Sequence, residues 1–255
     1  MYEFMRNALL GSFMISVVAG IIGTIIVCRR KVFVAGGITH ASFGGIGIAY
    51  YLGLNPIVGA FIFAVATALG IDVLERKGTI RGDSAIAMLW SLGMAIGLIF
   101  MFLTPSYASN LMGFMFGDIL SISTIDLWCI AVVATLSLLL SVLFYRPLLY
   151  VSFSPSFARV VGLRVGLIET IISIVTAIGI VVAIKAVGIV LVLSIFTIPQ
   201  AIVGKWKRQM GWMMLWSGVI AFVGALLGLA ASYYLDWPAG AVITAVLALL
   251  KLLLP

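Results

Sequence analysis

The sequence predicts an all-α integral membrane protein: a bundle of eight to nine transmembrane helices with a short re-entrant helix and a short cytoplasmic helix. Hydrophobic residues make up 64% of the 255 residues, and charged residues only 9%. Apolar stretches of about 18 residues or more recur along the chain, and each is long enough to cross a hydrocarbon core about 30 Å thick. A soluble domain of this length needs far more polar surface. We therefore expect a single transmembrane domain over residues 1–255.

Nine apolar stretches are predicted to span the membrane, separated mostly by short connections. Eight spans are nearly as well supported, because the stretches at residues 185–204 and 237–255 are short for a membrane crossing. The nine predicted spans are Leu9–Cys28, Phe33–Leu52, Pro56–Leu74, Ser84–Leu103, Ile125–Tyr145, Gly166–Lys185, Ala186–Val203, Gly211–Tyr234 and Trp237–Lys251.

Glycines recur within these spans, as is typical of helices that pack closely in lipid. The second span contains Gly44, Gly45 and Gly47, and the fourth contains Gly93 and Gly97. Small residues allow two helix backbones to approach each other, and such packing drives helix association in a membrane. We expect these glycines to serve the packing of the bundle.

The stretch Leu111–Leu120 is apolar but contains Asp118. At about ten residues it is too short to span the membrane, so it is predicted to be a re-entrant or interfacial helix. An ionisable side chain at membrane depth is costly and is a functional candidate by default. We therefore expect Asp118 to face a water-filled vestibule of a transport pathway.

The basic residues, which give the chain a net charge of +7, indicate orientation rather than binding to nucleic acid. They cluster in the gaps between predicted spans, as the positive-inside rule describes for cytoplasmic connections. With these clusters in the cytoplasm, the N-terminus lies outside and the C-terminus inside, and only Arg6 and Lys185 fall on the outer side. The clusters are Arg29/Arg30/Lys31, Arg76/Lys77/Arg81, Arg146/Arg159/Arg164, Lys205/Lys207/Arg208 and Lys251.

His40 is the only histidine of the chain and lies within the second predicted span. On a helix, Gly36, His40 and Gly44 fall on one stripe, so the imidazole projects from a face with few other side chains. One interpretation is a structural histidine that hydrogen-bonds to another helix. The other is a metal ligand, a common role of neutral imidazole. A single histidine cannot hold a metal ion, but a two-fold dimer would bring two together with Thr39 or water.

Three further charged residues lie within or at the ends of spans, and none of them is expected to bind the transported substrate. Asp72 is expected to form an interfacial ion pair with Arg76. Glu169 is expected to reach the cytoplasmic surface, and Lys185 the outer headgroups, because long polar side chains extend from a helix towards water.

The connection between the fifth and sixth predicted spans favours a short amphipathic helix. Ser154 suits the N-cap, Pro155 the first helical position and Gly162 the C-cap. An apolar face of Phe157 and the valines at positions 160–161 suits docking to a partner protein. A helix that lies flat on the lipid surface is the alternative.

Four segments of the chain, in the right order, resemble the permeases of the zinc/manganese/iron class of bacterial ABC importers. Gly36–Ser42, after the basic triplet, is similar to that family's Gly-Asp-Ala-Leu-Ser-His-Ala signature. Gly113–Leu120 is similar to its Tyr-Leu-Phe-Gly-X-Leu-Leu segment, and Phe153–Gly162 to its coupling helix, which docks on the ATPase. Lys185–Gly188 and Ile198–Ala201 resemble its Val-Gly and Leu-Pro-Ala-Ala run.

This resemblance implies a permease that works as a homodimer in the cytoplasmic membrane of a bacterium. A separate ATPase subunit would bind ATP at the cytoplasmic face, and an extracytoplasmic metal-binding protein would deliver the ion. The chain itself would not be an enzyme, and it contains no Gly-rich phosphate loop. The residues implied to contact the ATPase are Ser154, Pro155, Phe157, Arg159 and Gly162.

One position departs from the family pattern. The family's signature usually carries an aspartate four residues before the histidine, where this chain has Gly36. Only His40 therefore carries over as a metal ligand, with Thr39 beside it. An imidazole without a hard carboxylate suits zinc better than manganese, so zinc is the expected substrate, with manganese and iron still open. Gly36→Asp is expected to tighten metal binding.

Two other classes of function compete with this one. An ATPase-independent secondary transporter or channel would be expected to carry several paired ionisable groups at mid-membrane depth, or internal inverted repeats; the sequence has one histidine and no convincing repeat. An intramembrane enzyme would need a catalytic set, such as paired carboxylates or His-Glu-X-X-His, and the sequence contains neither.

Overall fold

The computed structural model describes residues 3–78, 80–104, 117, 119–206 and 209–253, and the regular elements within these ranges are all helical. A short 3-10 turn, Ile119–Ser121, precedes the fifth α-helix. The α-helices are α1 (Glu3–Cys28), α2 (Val32–Tyr51), α3 (Pro56–Arg76), α4 (Gly82–Phe102), α5 (Thr124–Leu143), α6 (Tyr145–Phe153), α7 (Pro155–Val160), α8 (Val165–Ile195), α9 (Ile198–Val203), α10 (Met210–Leu235) and α11 (Ala239–Leu253).

The predicted all-α membrane fold is confirmed. Seven helical stretches in the described residues are long and apolar enough to cross a membrane: α1 to α5, α8 together with α9, and α10. α11 is apolar but has only 15 residues. Most of the predicted re-entrant stretch, including Asp118, lies outside the described residues.

The sixth and seventh predicted spans are joined in the structure. Both lie within the stretch Val165–Val203, but the backbone of α8 is non-helical at Gly188, with φ 80° and ψ 164°. Gly188 therefore divides α8 into a long arm (165–187) and a short arm (189–195). The number of membrane crossings stays a prediction.

Ion pairs and hydrogen bonds gather the basic connections at one end of the bundle, here called the basic end. Arg29, after α1, pairs with Glu169 near the start of α8. Arg76, at the end of α3, donates to the Gly166 carbonyl at 2.7 Å. These contacts agree with the predicted grouping of basic connections on one side of the membrane.

The opposite end, here called the far end, joins the remaining connections. Lys185, near the end of the long arm, pairs with Asp126 in the first turn of α5, so its predicted contact with lipid headgroups is replaced by an ion pair. Asn7 of α1 donates to the Ile122 carbonyl at 3.1 Å. Ser123 and Asp126 form a capping box that starts α5 here.

The chain changes direction after the long arm of α8. The long arm ends at the far end, where Val187 lies against Gly117. After Gly188 the chain reaches the half of α1 that is nearer the basic end, since Gln200 of α9 donates to the Ala19 carbonyl at 2.7 Å. The break at Gly188 thus redirects the chain from the far end back towards the basic end.

Helix α2 lies at the centre of the bundle, against α3, α4 and α8. A Cβ atom on Gly45 would lie 2.0 Å from the carbonyl oxygen of Gly59 in α3. A Cβ atom on Gly47 would lie 2.5 Å from the carbonyl oxygen of Gly97 in α4. The predicted use of these glycines in close helix packing is therefore confirmed, because their backbones touch those of the neighbouring helices.

Candidate functional site

His40 occupies a distinctive position on α2. From Ala35 to Gly47 every residue of this helix is buried except His40, which is half-buried. The imidazole thus opens onto the surface of the single chain at a point where the helix is otherwise covered. A polar group in this position faces either lipid, a water-filled space or a second protein chain.

The His40 ring stacks on the indole of Trp90 from α4. The ring centroids lie 4.4 Å apart and the ring planes differ by 5°. Gly36, one turn before His40, lies against the same indole: a Cβ atom there would be 3.3 Å from Cζ3 of Trp90 and 3.5 Å from Cδ1 of Leu193. His40, Gly36, Trp90 and Leu193 are here called the His40 site.

Thr39 does not join this site. Its side chain is fully buried, and its hydroxyl donates to the Ala35 carbonyl of the same helix at 2.6 Å. The prediction that Thr39 accompanies His40 as a ligand is therefore not supported by the geometry. Asp118, the predicted pathway residue, lies outside the described residues.

Within the described part of the chain, no group of three or more His, Cys, Asp or Glu side chains is arranged to hold a metal ion. One chain therefore offers one imidazole at the His40 site. A single nitrogen ligand binds a divalent ion weakly, and weak binding allows a transported ion to leave again.

A network of ion pairs joins α1, α3 and α8 at the basic end. Glu169 contacts Arg29 at 3.1 Å and Arg76 at 3.8 Å, and Lys31 pairs with Glu75. Glu169 thus lies at the basic end, and two arginines from other parts of the bundle hold its carboxylate, which the sequence did not predict.

The predicted ion pair between Asp72 and Arg76 is also absent. Arg76 turns towards α8, where it contacts Glu169 and donates to Thr170 Oγ1 at 3.0 Å. Asp72 is buried, and its Oδ2 has no hydrogen-bond partner among the described residues. It lines a cavity of about 20 Å³ together with Arg29 and Lys31, which is enough room for one water molecule.

The connection between α5 and α8, which was predicted to be cytoplasmic, contains the predicted helix, α7. Ser154 is its N-cap and accepts a hydrogen bond from the Phe157 amide at 3.4 Å, and Pro155 is its first residue. Gly162 follows the C-cap Val161 in the left-handed region, with φ 84°, a conformation that glycine adopts without strain.

The two faces of α7 differ in burial. Ala158 is fully buried and belongs to an apolar cluster formed with α6 and α8. On the other side Phe157 is 50% exposed, Val160 85% and Val161 52%. Arg159 lies in the last turn. The helix thus presents apolar side chains outward at the basic end, and it ends nine residues before Glu169 in the sequence.

Sequence reasoning missed two functional candidates. Trp90 lies 50 residues from His40, and nothing in the local pattern of α4 indicates that its ring would reach α2. Arg29 appeared only as a topology marker, because its partner Glu169 lies 140 residues away in the sequence. Both relationships depend on which helices are neighbours.

Comparison with known proteins gives a consistent result. Residues 1–254 match the ABC 3 transport family. The chain is 37% identical to an uncharacterized membrane protein of Synechocystis sp., slr2045, over 95% of this chain and 86% of that protein. It is 31% identical to the manganese transport system membrane protein MntC of Listeria monocytogenes, over 94% of this chain and 85% of that protein.

Among solved structures, the chain is similar to PsaBC from Streptococcus pneumoniae in complex with Fab. The TM-score is 0.88 and the sequence identity 26%, over 99% of this chain and 91% of that one. With the seven apolar helices, these matches confirm the predicted permease fold and a multi-pass location in a bacterial cytoplasmic membrane. The chain belongs to the ABC 3 transport family.

Proposed function

We propose that this chain is the membrane-embedded permease of an ABC importer for a divalent transition metal ion. The observation that carries the proposal is the partly exposed imidazole of His40 within the otherwise buried stretch Ala35–Gly47 of α2. Neutral imidazole is a good ligand for such ions. A relative at 31% identity is a manganese transport system membrane protein, which supports a metal ion as the substrate.

Among metal ions we propose that zinc is preferred to manganese. Manganese favours oxygen ligands such as carboxylates, whereas imidazole suits zinc. In this chain Gly36 stands where the family's aspartate would be, and the described residues contain no group of three or more His, Cys, Asp or Glu side chains that could hold a metal ion. The ligand chemistry of the site therefore differs from that expected of a manganese carrier.

The proposed working unit is a homodimer of this single-domain chain with an ATPase subunit at the basic end and a metal-binding protein at the far end. In the dimer the two His40 side chains would face a common pathway, so that an ion receives two nitrogen ligands and completes its shell with water. The exposed apolar face of α7 would seat in a groove of the ATPase, which binds and hydrolyses the ATP.

The test is uptake by proteoliposomes that contain the permease, its ATPase and its metal-binding protein. We expect ATP-dependent accumulation of zinc by the wild type, with weaker accumulation of manganese. The variant His40→Ala should abolish uptake and still insert and bind the ATPase. Val132→Ala, on the exposed face of α5, is the matched control and should transport normally.

Two results would contradict the proposal. Unimpaired uptake by His40→Ala would show that His40 does not bind the ion in the pathway. Accumulation of metal in the absence of the ATPase and ATP would instead favour the secondary transporter or channel.

A further inference from the structure

The indole of Trp90 is held in a fixed position relative to His40. Helices α2 and α4 touch through their backbones beside the two rings: a Cβ atom on Gly93 would lie 2.5 Å from Cα of Ala41. Ala41 follows His40 directly, and Gly93 lies three residues after Trp90. Because this backbone contact leaves little room for movement, the stacked arrangement of the two rings is a built feature of the helix pair.

The same indole fills the space beside Gly36. A Cβ atom at position 36 would lie 3.3 Å from Cζ3 and 3.6 Å from Cη2 of Trp90, so the indole would have to shift slightly to admit even alanine. The carboxylate of an aspartate would extend further into the same space. The indole of Trp90 therefore occupies the space that a carboxylate at position 36 would need.

Stacking also restricts how an ion can approach His40. The ring nitrogens donate electrons in the plane of the imidazole, and the indole covers one face of that ring. A metal ion must therefore approach along the edge of the ring. An aromatic wall offers no oxygen ligand, which disfavours ions that prefer oxygen over nitrogen.

We propose that Trp90 is the specificity-determining residue of the His40 site. It positions the imidazole by stacking, and it excludes an oxygen ligand from the space beside Gly36, so that the site selects against manganese. This inference rests on the proposed function. It also changes the expected effect of Gly36→Asp: the added carboxylate can tighten metal binding only when the indole has been removed.

The experiment is a double-mutant cycle with Gly36→Asp, Trp90→Ala and the double variant, in purified permease bound to its ATPase. Affinities for Mn²⁺ and Zn²⁺ are measured separately by titration with the metal salt. Gly36→Asp alone should leave the Mn²⁺ affinity nearly unchanged. The double variant should raise the Mn²⁺ affinity about tenfold or more. This effect would exceed the sum of the two single effects, as is expected of residues in contact.

Two further variants separate positioning from general stability. Trp90→Phe keeps an aromatic ring against His40, so its Zn²⁺ affinity should stay near that of the wild type, whereas Trp90→Ala should lower it severalfold. Trp128→Ala, an exposed tryptophan on α5, is the matched control and should bind both metals normally. If Trp90→Ala does not fold, Trp90→Phe with Gly36→Asp replaces it in the cycle.

The outcomes distinguish this inference from the function on which it rests. If Gly36→Asp alone tightens Mn²⁺ binding as much as the double variant does, Trp90 does not exclude the carboxylate and the inference is overturned. If His40→Ala leaves the affinity for both metals unchanged, the metal does not bind at His40, and the proposed function fails first.

Discussion

Glu169 Oε1 lies 3.1 Å from Nη2 of Arg29, and only 8% of the arginine side chain is exposed. This ion pair joins the end of α1 to the first turns of α8, just after the proposed ATPase-docking helix α7. A cation that is so well covered needs a partner, because the loss of one member of a buried pair leaves an uncompensated charge.

Glu169→Ala is therefore expected to destabilise the folded permease by about 1–3 kcal/mol, the cost of an unsatisfied buried donor. Thermal unfolding in detergent should show the loss as a lower midpoint. Arg6→Ala is the matched control, because its pair with Glu3 is largely exposed and such pairs contribute little. An equal shift in both variants would contradict this account of the buried pair.

Asp72→Asn is expected to behave differently from Glu169→Ala, although both remove a carboxylate at the basic end. Asp72 Oδ2 has no hydrogen-bond partner among the described residues. The substitution therefore breaks no hydrogen bond to that oxygen within the described structure. The unfolding midpoint should stay close to that of the wild type or rise. A drop as large as that of Glu169→Ala would show that Asp72 has a strong partner.

The contrast between these two acids also shows what the sequence could predict. The local pattern of apolar residues predicted helix α3, and the cluster of basic residues predicted which end of this helix lies at the basic end of the bundle. The pair of Asp72 and Arg76 was predicted because the residues stand four apart on one helix. The prediction failed because Arg76 finds a better partner on α8, and neither the sequence nor the helix pattern reveals which helix lies beside α3.

The candidate site divides in the same way. The unusual position of His40 on a glycine-rich stripe could be predicted from spacing alone, and the helix α7 from its cap residues. The stacking of Trp90 on His40 could not, because it depends on the packing of α2 against α4. Thr39 was predicted as a ligand from sequence proximity, but neighbours in a helix point about 100° apart, and its hydroxyl is used within α2.

Gly45→Ala is expected to destabilise the bundle by about 3 kcal/mol, at the upper end of overpacking effects. The added methyl group would meet the carbonyl carbon and oxygen of Gly59 at 2.5 and 2.0 Å, and backbone atoms cannot move aside cheaply. Gly70→Ala is the control within α3, where the nearest atom is Cδ1 of Leu89 at 3.3 Å. We expect Gly70→Ala to be tolerated, since alanine favours a helix.

These two variants are compared by thermal unfolding and by yield in the membrane. Equal tolerance of both substitutions would mean that α2 and α3 can separate slightly without loss of stability, contrary to the close packing described above.

Phe157→Asp is expected to release the ATPase from the permease or to uncouple ATP hydrolysis from uptake. Its side chain is half exposed on α7 and packs edge-on against Tyr150, with ring centroids 5.3 Å apart. Buried aromatic anchors carry much of the binding energy of an interface. Arg159→Glu should have a smaller effect, because a charge at the rim contributes little.

Co-purification of the ATPase with each variant measures this difference, and an unchanged unfolding midpoint of the permease alone serves as the control for folding. If both variants retain the ATPase and transport normally, α7 is an element of the lipid surface rather than a docking helix.

Gly188 bears on how relatives of this chain are classified. Its backbone, at φ 80° and ψ 164°, lies in a region open almost solely to glycine. A substitution there would disturb the redirection of α8 whatever ion is carried, so the Val-Gly segment is a marker of architecture and says nothing of cargo. Position 36, by contrast, lies within the regular helix α2, where a side chain would press on Trp90 but would not strain the backbone. Annotation of substrate by similarity should therefore weight the residue that faces Trp90 above the longer motif that surrounds Gly188.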